Sequence, residues 1–153
     1  MTKNKGINWN FKHFSELSTL ELYALAKIRM EVFIIEQDCI YLDLDDKDLE
    51  AHHIFATEDD KVIAYTRLLA KDVNYPQVSI GRVLVAESAR GRNLGHELMT
   101  QTMQFSETIY GPTDIKISAQ QHLSKFYEEH SFKVVTEMYL EDDIPHVGML
   151  YSV

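Results

Sequence analysis

The sequence has little of several features, and each shortage excludes a class of protein. Cys39 is the only cysteine among 153 residues, so no disulfide can form within the chain and a cytoplasmic location is expected. No apolar run approaches the roughly 18 residues that a membrane-spanning helix needs. Residues 1–14 are polar and lack the apolar stretch of a signal peptide. Internal repeats and low-complexity tracts are also absent.

Positive charge is scarce as well. The chain has 15 Lys and Arg against 24 Asp and Glu, which gives a net charge of -9 and a pI near 5.2. Nucleic acids and anionic membranes would be repelled at long range. We therefore expect neither as a partner, and a cationic partner is more natural.

What is present fits one α/β domain that spans residues 1–153, because domains most often run about 100 to 150 residues. Capping residues and apolar periodicity predict the order strand, helix, three strands, helix, strand, helix, two strands. The predicted strands are 7–14, 52–57, 62–70, 77–85, 114–119, 132–140 and 147–153, and the predicted helices are 18–34, 93–107 and 120–130.

The stretch 83–98 stands out, because a buried-looking strand runs through a glycine-punctuated loop into an amphipathic helix. Such a loop points unpaired backbone N–H groups at one spot, where the helix dipole favours an anion. Arg82, Arg90 and Arg92 cluster here against the acidic charge of the whole chain. Neither the P-loop spacing nor Gly-x-Gly-x-x-Gly is present. The stretch is thus either an anion-binding loop or an ordinary strand–turn–helix connection.

Other polar groups have two interpretations each. Arg29 lies on the inward face of the first helix, where it needs a carboxylate, a carbonyl or a ligand. The acidic segment 38–50 holds six acids and one lysine; it is either a solvated segment or a rim that attracts a cationic acceptor, and it lacks the EF-hand pattern. His52 and His53 point to opposite faces of a strand, so we expect no metal site.

The loop motif itself resembles a known family. Residues 90–95, Arg-Gly-Arg-Asn-Leu-Gly, resemble the Gln/Arg-x-x-Gly-x-Gly/Ala motif of the GNAT acyltransferases, in which backbone amides bind the pyrophosphate of coenzyme A. Asn93 replaces the middle glycine, and Asn tolerates the left-handed conformation better than other non-glycine residues.

Further segments strengthen the resemblance and extend it over the whole chain. Residues 126–132 are similar to the family's Phe-Tyr-x-x-x-Gly-Phe segment, with Ser131 at the glycine. Four stretches are similar to the ElaA-type proteins of this superfamily: 29–37, 80–83, 119–123 and 144–149. The resemblance implies a GNAT fold, a mixed and mostly antiparallel twisted sheet of about six to seven strands, flanked by helices and splayed between strands four and five.

The resemblance also implies a donor site and a reaction. Acetyl-CoA would be the donor, with no metal, and a primary amine would attack it directly in a ternary complex. Pantetheine would lie on the fourth strand and pyrophosphate on the loop. The residues that would contact the donor are Val83, Leu84, Val85, Arg90, Gly91, Arg92, Asn93, Leu94 and Gly95.

Tyr127 would protonate the departing thiolate, which suits a phenol of pKa about 10. The base is open, because the fourth strand has no carboxylate or histidine; His53, His122 and His146 are the candidates. We assign Arg29, Glu36, His53 and Arg82 to the acceptor side. Acidic residues at 43–50 and 141–143 would favour a cationic amine.

Two other functions remain open. A non-catalytic acyl-CoA-binding module would use the same loop, and the missing base on the fourth strand supports it. Acyl-homoserine lactone synthesis belongs to enzymes of a related fold with an Arg-x-x-x-Phe pattern like that of residues 29–33, although those chains lack this loop. The sequence leaves the acceptor and the oligomeric state, including a homodimer, undetermined.

Overall fold

The computed structural model describes residues 6–153, which form one eight-stranded sheet with three α-helices. In chain order the elements are β1 Asn8–His13, α1 Thr19–Arg29, β2 His52–Glu58, β3 Lys61–Leu69, β4 Val78–Val85, α2 Leu94–Tyr110, β5 Ile115–Gln120, α3 Ser124–Glu128, β6 Phe132–Val134, β7 Tyr139–Glu141 and β8 Ile144–Tyr151. The mixed α/β class and the order of helices among strands are as the sequence predicts. Within residues 6–153, no helix is both long and apolar enough to cross a membrane.

The first helix begins with the predicted capping box. Glu21 N donates to Ser18 Oγ at 3.0 Å, and Ser18 N donates to Glu21 Oε1 at 2.9 Å. This pairing satisfies backbone donors that a helix start leaves free. The helical chain does not stop near residue 34 as predicted but widens into a π-helical segment, Met30–Glu36. That segment carries Glu36 to the edge of the cleft described below.

The strand order explains where a cleft can form. The sheet runs β1-β2-β3-β4-β5-β8-β6, with β7 beside β8, and every pair is antiparallel except β4 with β5. That parallel pair is joined at only two positions, Val78 with Ile115 and Ser79 with Lys116. Beyond them β4 and β5 separate, which confirms the predicted splay between strands four and five. Backbone groups along this part of β4 therefore have no partner strand on the β5 side.

The predicted strand 132–140 is wrong in one respect. It consists of two short strands, β6 and β7, which both pair with β8, so the sheet has eight strands rather than six to seven. Two hairpin turns each place a pair of aspartates at positive φ: Asp59 at 51° and Asp60 at 62°, Asp142 at 50° and Asp143 at 63°. Such two-residue turns match the twist of the strands that they join.

Apolar side chains fill both faces of the sheet. The larger core lies under α2 and α3, where Ile54, Ala64, Leu98 and Met149 are fully buried. A smaller core lies under α1 and the π-helical segment and includes Phe55. Neighbouring residues of β2 thus face opposite cores, as strand geometry requires. On α1, Leu22 is exposed, and Ile28 is buried on the inward face.

Candidate active site

A cleft of about 880 Å³ opens where β4 and β5 separate. Its walls come from β4, β5, the loop before α2, α3, the π-helical segment and the β7–β8 hairpin. Ligand pockets typically have volumes of roughly 300–1,000 Å³, so the cleft is large enough for a cofactor-sized molecule. It brings together most of the residues that the sequence analysis selects: Glu36, Arg82, Val83, Leu84, Val85, Arg90, Gly91, Asn93, Leu94, Gly95, His122, Tyr127 and His146.

The loop before α2 has the conformation that its motif requires. Gly91 has φ of 80°, and Asn93 is left-handed with φ of 62° and ψ of 19°. Asn93 therefore adopts the backbone state that glycine would take, as expected from its side chain. The helix α2 begins at the next residue, so its free N–H groups and the positive end of its dipole face this end of the cleft.

The three arginines of this region are paired with carboxylates. Arg90 forms a bidentate ion pair with Glu36, Arg92 one with Glu58, and Arg82 donates from Nε to Asp43 Oδ1 at 2.7 Å. Pairing with carboxylates therefore explains this arginine cluster without an anion-binding role. Attraction of an anion depends more on backbone N–H groups and the helix dipole than on free guanidinium groups.

Arg29 is fully engaged in the interior. It is 2% exposed, and it donates from Nε to Asp43 Oδ2 at 2.8 Å and from Nη1 to Asp48 Oδ1 at 2.7 Å. Burial alone would lower the pKa of Arg29, but the surrounding Tyr65, Asp48 and Asp43 raise it, so the guanidinium stays charged. Of its two interpretations, carboxylate pairing is the one that the structure shows, and Arg29 does not line the cleft.

Two further arginines complete what we call the Arg–Asp network, formed by Arg29, Arg67 and Arg82 with Asp43, Asp45 and Asp48. Arg67 on β3 donates from Nη1 to Asp48 Oδ1 at 3.0 Å and from Nη2 to Asp45 Oδ2 at 3.0 Å. The sequence analysis did not single out this arginine. Three positive and three negative side chains balance, which is what burial of charge requires.

This network changes the interpretation of the acidic segment 38–50. Half of its acids, Asp43, Asp45 and Asp48, are partners of arginines and attach the segment to the sheet. These three aspartates are therefore neither part of a solvated segment nor free to attract a cationic acceptor. Among residues 6–153, no group of three or more His, Cys, Asp or Glu side chains is arranged to hold a metal ion.

His53 also belongs to the interior. It is 1% exposed; its Nε2 lies 3.0 Å from the carbonyl oxygen of Asp48, and its Nδ1 lies 2.7 Å from the hydroxyl of Tyr65. A carbonyl can only accept, so Nε2 carries the proton and Nδ1 accepts from Tyr65. Burial lowers the pKa of His53. Both nitrogens are occupied, and the structure does not bring His53 to the cleft.

Arg82 shapes the wall of the cleft through its backbone. Its φ is 57°, and the β3–β4 register shifts here, so that Arg82 and Val83 together lie opposite the single residue Thr66. This arrangement is a β-bulge, which bends the strand and re-aims its groups. Thr66 Oγ1 donates to the carbonyl of Gly81 at 2.8 Å and supports the bulge. The bulge lies where β4 has left β5.

Tyr127 lies on α3 at the cleft, 7% exposed and packed between aromatic rings. The ring centroids of Phe126 and Phe132 lie 5.0 and 6.2 Å away. Its hydroxyl makes no hydrogen bond to any residue within 6–153. Burial raises the pKa of Tyr127, so the phenol keeps its proton at neutral pH. A buried phenol with a free hydroxyl at a cleft can donate its proton to a leaving group.

The two remaining histidine candidates differ in how they are held. His122 is exposed at the rim of the cleft. His146, on β8, is buried at 7% exposure; its Nδ1 lies 2.7 Å from the carbonyl oxygen of Ile144, and its Nε2 lies 3.4 Å from Glu141 Oε2. The sequence analysis placed Glu141 only among the acidic residues that would favour a cationic amine, because nothing local signals its contact with His146.

Comparison with known proteins gives a consistent result over nearly the full chain. Residues 19–153 match the family model described as the acetyltransferase (GNAT) domain. Protein ElaA of Escherichia coli K12 is 42% identical over 149 residues, which cover 96% of this chain and 97% of that protein. The crystal structure of an acyl-CoA N-acyltransferase from Pseudomonas aeruginosa has a TM-score of 0.92 at 44% identity, with 95% of this chain and 99% of that chain covered.

Two more distant structures share the fold alone. The acyl-homoserine lactone synthase LasI has a TM-score of 0.78 at 15% identity, with 95% of this chain and 89% of that chain covered. An aminoglycoside 6'-N-acetyltransferase complexed with coenzyme A has a TM-score of 0.70 at 13% identity, with 94% and 96% covered. Both likenesses therefore support the fold assignment.

Proposed function

Because the chain belongs to the GNAT acetyltransferase family, we propose that it transfers an acetyl group from acetyl-CoA to a primary amine by direct attack in a ternary complex. One observation carries the proposal: a single cleft joins the loop at 90–95, the separated part of β4 and the hydroxyl of Tyr127. A thioester donor needs these three features at once, namely a pyrophosphate site, a channel for pantetheine and an acid for the thiolate.

The loop supports the donor site. Backbone N–H groups around Gly91 and Asn93, together with the start of α2, would hold the pyrophosphate. Pantetheine would lie along Val83, Leu84 and Val85, where β4 has no neighbouring strand on the β5 side. The more distant aminoglycoside 6'-N-acetyltransferase is described as complexed with coenzyme A, which agrees with this donor.

Tyr127 would act at the end of the reaction. Attack of the amine forms the C–N bond, and collapse of the tetrahedral intermediate breaks the C–S bond and releases a thiolate. The phenol of Tyr127 donates its proton to that sulfur and is reprotonated from solvent. The bulge at Arg82 and Val83 exposes backbone on the same cleft, where an N–H group would stabilise the oxyanion.

The acceptor is proposed to be a small-molecule or peptide amine, and a cationic one is favoured by the carboxylates of Glu141 and Asp142 at the cleft. The net charge of -9 argues against nucleic acid and membrane surfaces as partners. A cytoplasmic location agrees with the single cysteine. A homodimer remains compatible with the proposal.

The test is CoA release by the purified chain with acetyl-CoA and a panel of primary amines. Tyr127→Phe should lower kcat by about 100-fold, as loss of an acid catalyst does, while the Kd for acetyl-CoA stays unchanged. Tyr151→Phe, which alters a half-buried tyrosine outside the cleft, is the matched control and should behave as wild type. A protein that binds acetyl-CoA but turns over no amine would be the non-catalytic module instead.

A further inference from the structure

The reaction proposed above needs a group that removes a proton from the attacking amine, and the cleft side of β4 supplies none. The part of β4 on the cleft, residues 80–85, contains Arg82 as its only ionisable side chain. Arg82 is occupied by Asp43, and a guanidinium is not a base. The proton acceptor must therefore come from another wall of the cleft.

We infer that His146, held by Glu141, is the general base that accepts the proton of the amine; this inference rests on the proposed acyltransferase function. His146 is the buried histidine among the cleft residues within 6–153, whereas His122 is exposed and His96 is half-buried. His53, the third histidine predicted as a base, lies outside the cleft with both nitrogens occupied.

The hydrogen bonds of His146 fix which nitrogen can act. The carbonyl oxygen of Ile144 only accepts, so Nδ1 of His146 must carry the proton that this bond needs. In the neutral ring Nε2 is then the basic nitrogen. It lies 3.4 Å from Glu141 Oε2, so an imidazolium formed by proton uptake gains an ion pair. The arrangement thus has a fixed tautomer and a carboxylate that stabilises the charged product.

Strand register places His146 and Tyr127 on opposite faces of the sheet. On β5, Ile117 and Ala119 face the large core that contains Tyr127, and Ser118 and Gln120 face the opposite side. His146 pairs with Gln120 and shares that opposite side. The separated strands leave an opening between the two sides. The donor sulfur can therefore meet Tyr127 on one side while the amine meets His146 on the other.

The surroundings of His146 are polar and acidic. Glu141 and Tyr139 of β7 contact it, the Tyr139 ring being stacked at a centroid distance of 6.2 Å. On β5, Ser118 forms hydrogen bonds with both Glu141 and Tyr139 and thereby fixes the positions of these two side chains. Cys39 and Asp142 also line the cleft and are linked by a hydrogen bond at 3.6 Å between Sγ and a carbonyl oxygen.

The step balances without another reactant. The amine nitrogen forms a bond to the thioester carbon, and its extra proton moves to Nε2 of His146. The C–S bond then breaks, and the thiolate takes the proton of Tyr127. Solvent removes the proton from His146 and restores that of Tyr127. Glu141 touches no reacting atom, so it is a positioning residue that acts through His146.

The experiment follows the amine that the wild-type chain acetylates best, with acetyl-CoA as donor, over a range of pH. His146→Gln should lower kcat by about 100-fold near neutral pH, with an unchanged Kd for acetyl-CoA, and the deficit should shrink at high pH, where hydroxide can take the extra proton of the attacking amine. Glu141→Gln should lower kcat by less than His146→Gln does, with an unchanged Kd for acetyl-CoA, because Nε2 of His146 loses a contact that positions it. Glu137→Gln, an exposed change in the same hairpin region, should match wild type.

The outcomes separate this inference from the function on which it rests. If the wild type releases CoA and His146→Gln releases it at the same rate with the same pH profile, the proposed role of His146 is overturned. A loss that is the same at every pH and accompanied by weaker acetyl-CoA binding would show a structural role instead. Absence of amine-dependent CoA release from the wild type would overturn the proposed function itself.

Discussion

Arg90 and Glu36 form a bidentate ion pair across the mouth of the cleft. Arg90 Nη2 donates to Glu36 Oε2 at 2.7 Å, its Nη1 donates to Glu36 Oε1, and its Nε donates to the carbonyl of Val85 at 3.1 Å. The ion pair joins the π-helical segment to the loop that would bind pyrophosphate. The hydrogen bonds from Arg90 lower the pKa of Glu36. A negatively charged carboxylate therefore lies beside the proposed pyrophosphate site.

Removal of this negative charge is expected to favour the donor. Glu36→Gln should tighten acetyl-CoA binding by about twofold to fivefold, because exposed ion pairs contribute roughly 0.2–1 kcal/mol and the guanidinium becomes available to phosphate. Isothermal titration calorimetry measures the change. Glu31→Gln, an exposed glutamate of the same segment outside the cleft, is the control. Weaker binding by Glu36→Gln would mean that the ion pair holds the loop in its binding conformation.

The Arg–Asp network should dominate the stability of the segment 38–50. Asp48 accepts hydrogen bonds from Arg29 and Arg67, whose side chains are 3% and 4% exposed. Asp48→Asn leaves three arginines with two aspartates, so the network carries one uncompensated positive charge, and we expect a loss of about 3 kcal/mol in the free energy of unfolding. Urea denaturation measures it.

Asp46 offers a matched control in the same segment. It is exposed and left-handed with φ of 66°, a conformation that asparagine tolerates. Asp46→Asn should change the free energy of unfolding by less than about 0.5 kcal/mol, as is usual for surface substitutions. Equal effects of the two changes would contradict the account of the network.

His53 should make stability depend on pH near neutrality. Burial lowers its pKa in the folded state, whereas an unfolded histidine titrates near pH 6.5. Below that pH the unfolded chain binds a proton that the folded chain does not, so the free energy of unfolding should fall as pH decreases from about 7 toward 5. The slope from one such group is at most about 1.4 kcal/mol per pH unit.

His53→Gln tests this dependence. A glutamine can donate to the carbonyl of Asp48 and accept from Tyr65 but does not titrate. Urea denaturation between pH 5 and 7.5 should show a shallower slope for the variant. Some slope should remain, because burial also lowers the pKa of His52 and His130. Identical slopes for variant and wild type would refute the assignment of a neutral His53.

Asn93 should be replaceable by glycine but not by alanine. Its left-handed backbone costs alanine roughly 1 kcal/mol, which corresponds to about fivefold in affinity if the loop must hold this shape to bind its ligand. Asn93→Ala should therefore weaken acetyl-CoA binding about fivefold, and Asn93→Gly should leave it unchanged. If both variants bind alike, the left-handed turn is not required for the donor.

Local features of this molecule could be predicted from the sequence because their causes are local. The capping box at Ser18 and Glu21 depends on residues three apart, and the two aspartate pairs mark hairpin turns at adjacent positions. The left-handed turn at Asn93 is also predictable, because it depends on the conformational preference of a single residue. The splay between strands four and five came from the family resemblance, and the pairing of β4 with β5 at two positions confirms it.

Partners that lie far apart in the chain could not be predicted. Asp43 and Arg82 are separated by 39 positions, and Glu36 and Arg90 by 54, so charge patterns alone made the arginines look available for an anion. The contact between His146 and Glu141 likewise depends on the pairing of β7 with β8. Nothing in the local sequence distinguishes the π-helical segment 30–36 from a continued α-helix.

Titration of the purified chain with acetyl-CoA in a calorimeter tests the central claim most directly. The account predicts one-to-one binding in the micromolar range, with apolar burial visible as a negative heat-capacity change. Binding that is equally strong for free acetate or phosphate, or no heat with millimolar acetyl-CoA, would contradict the claim that this cleft is a donor site.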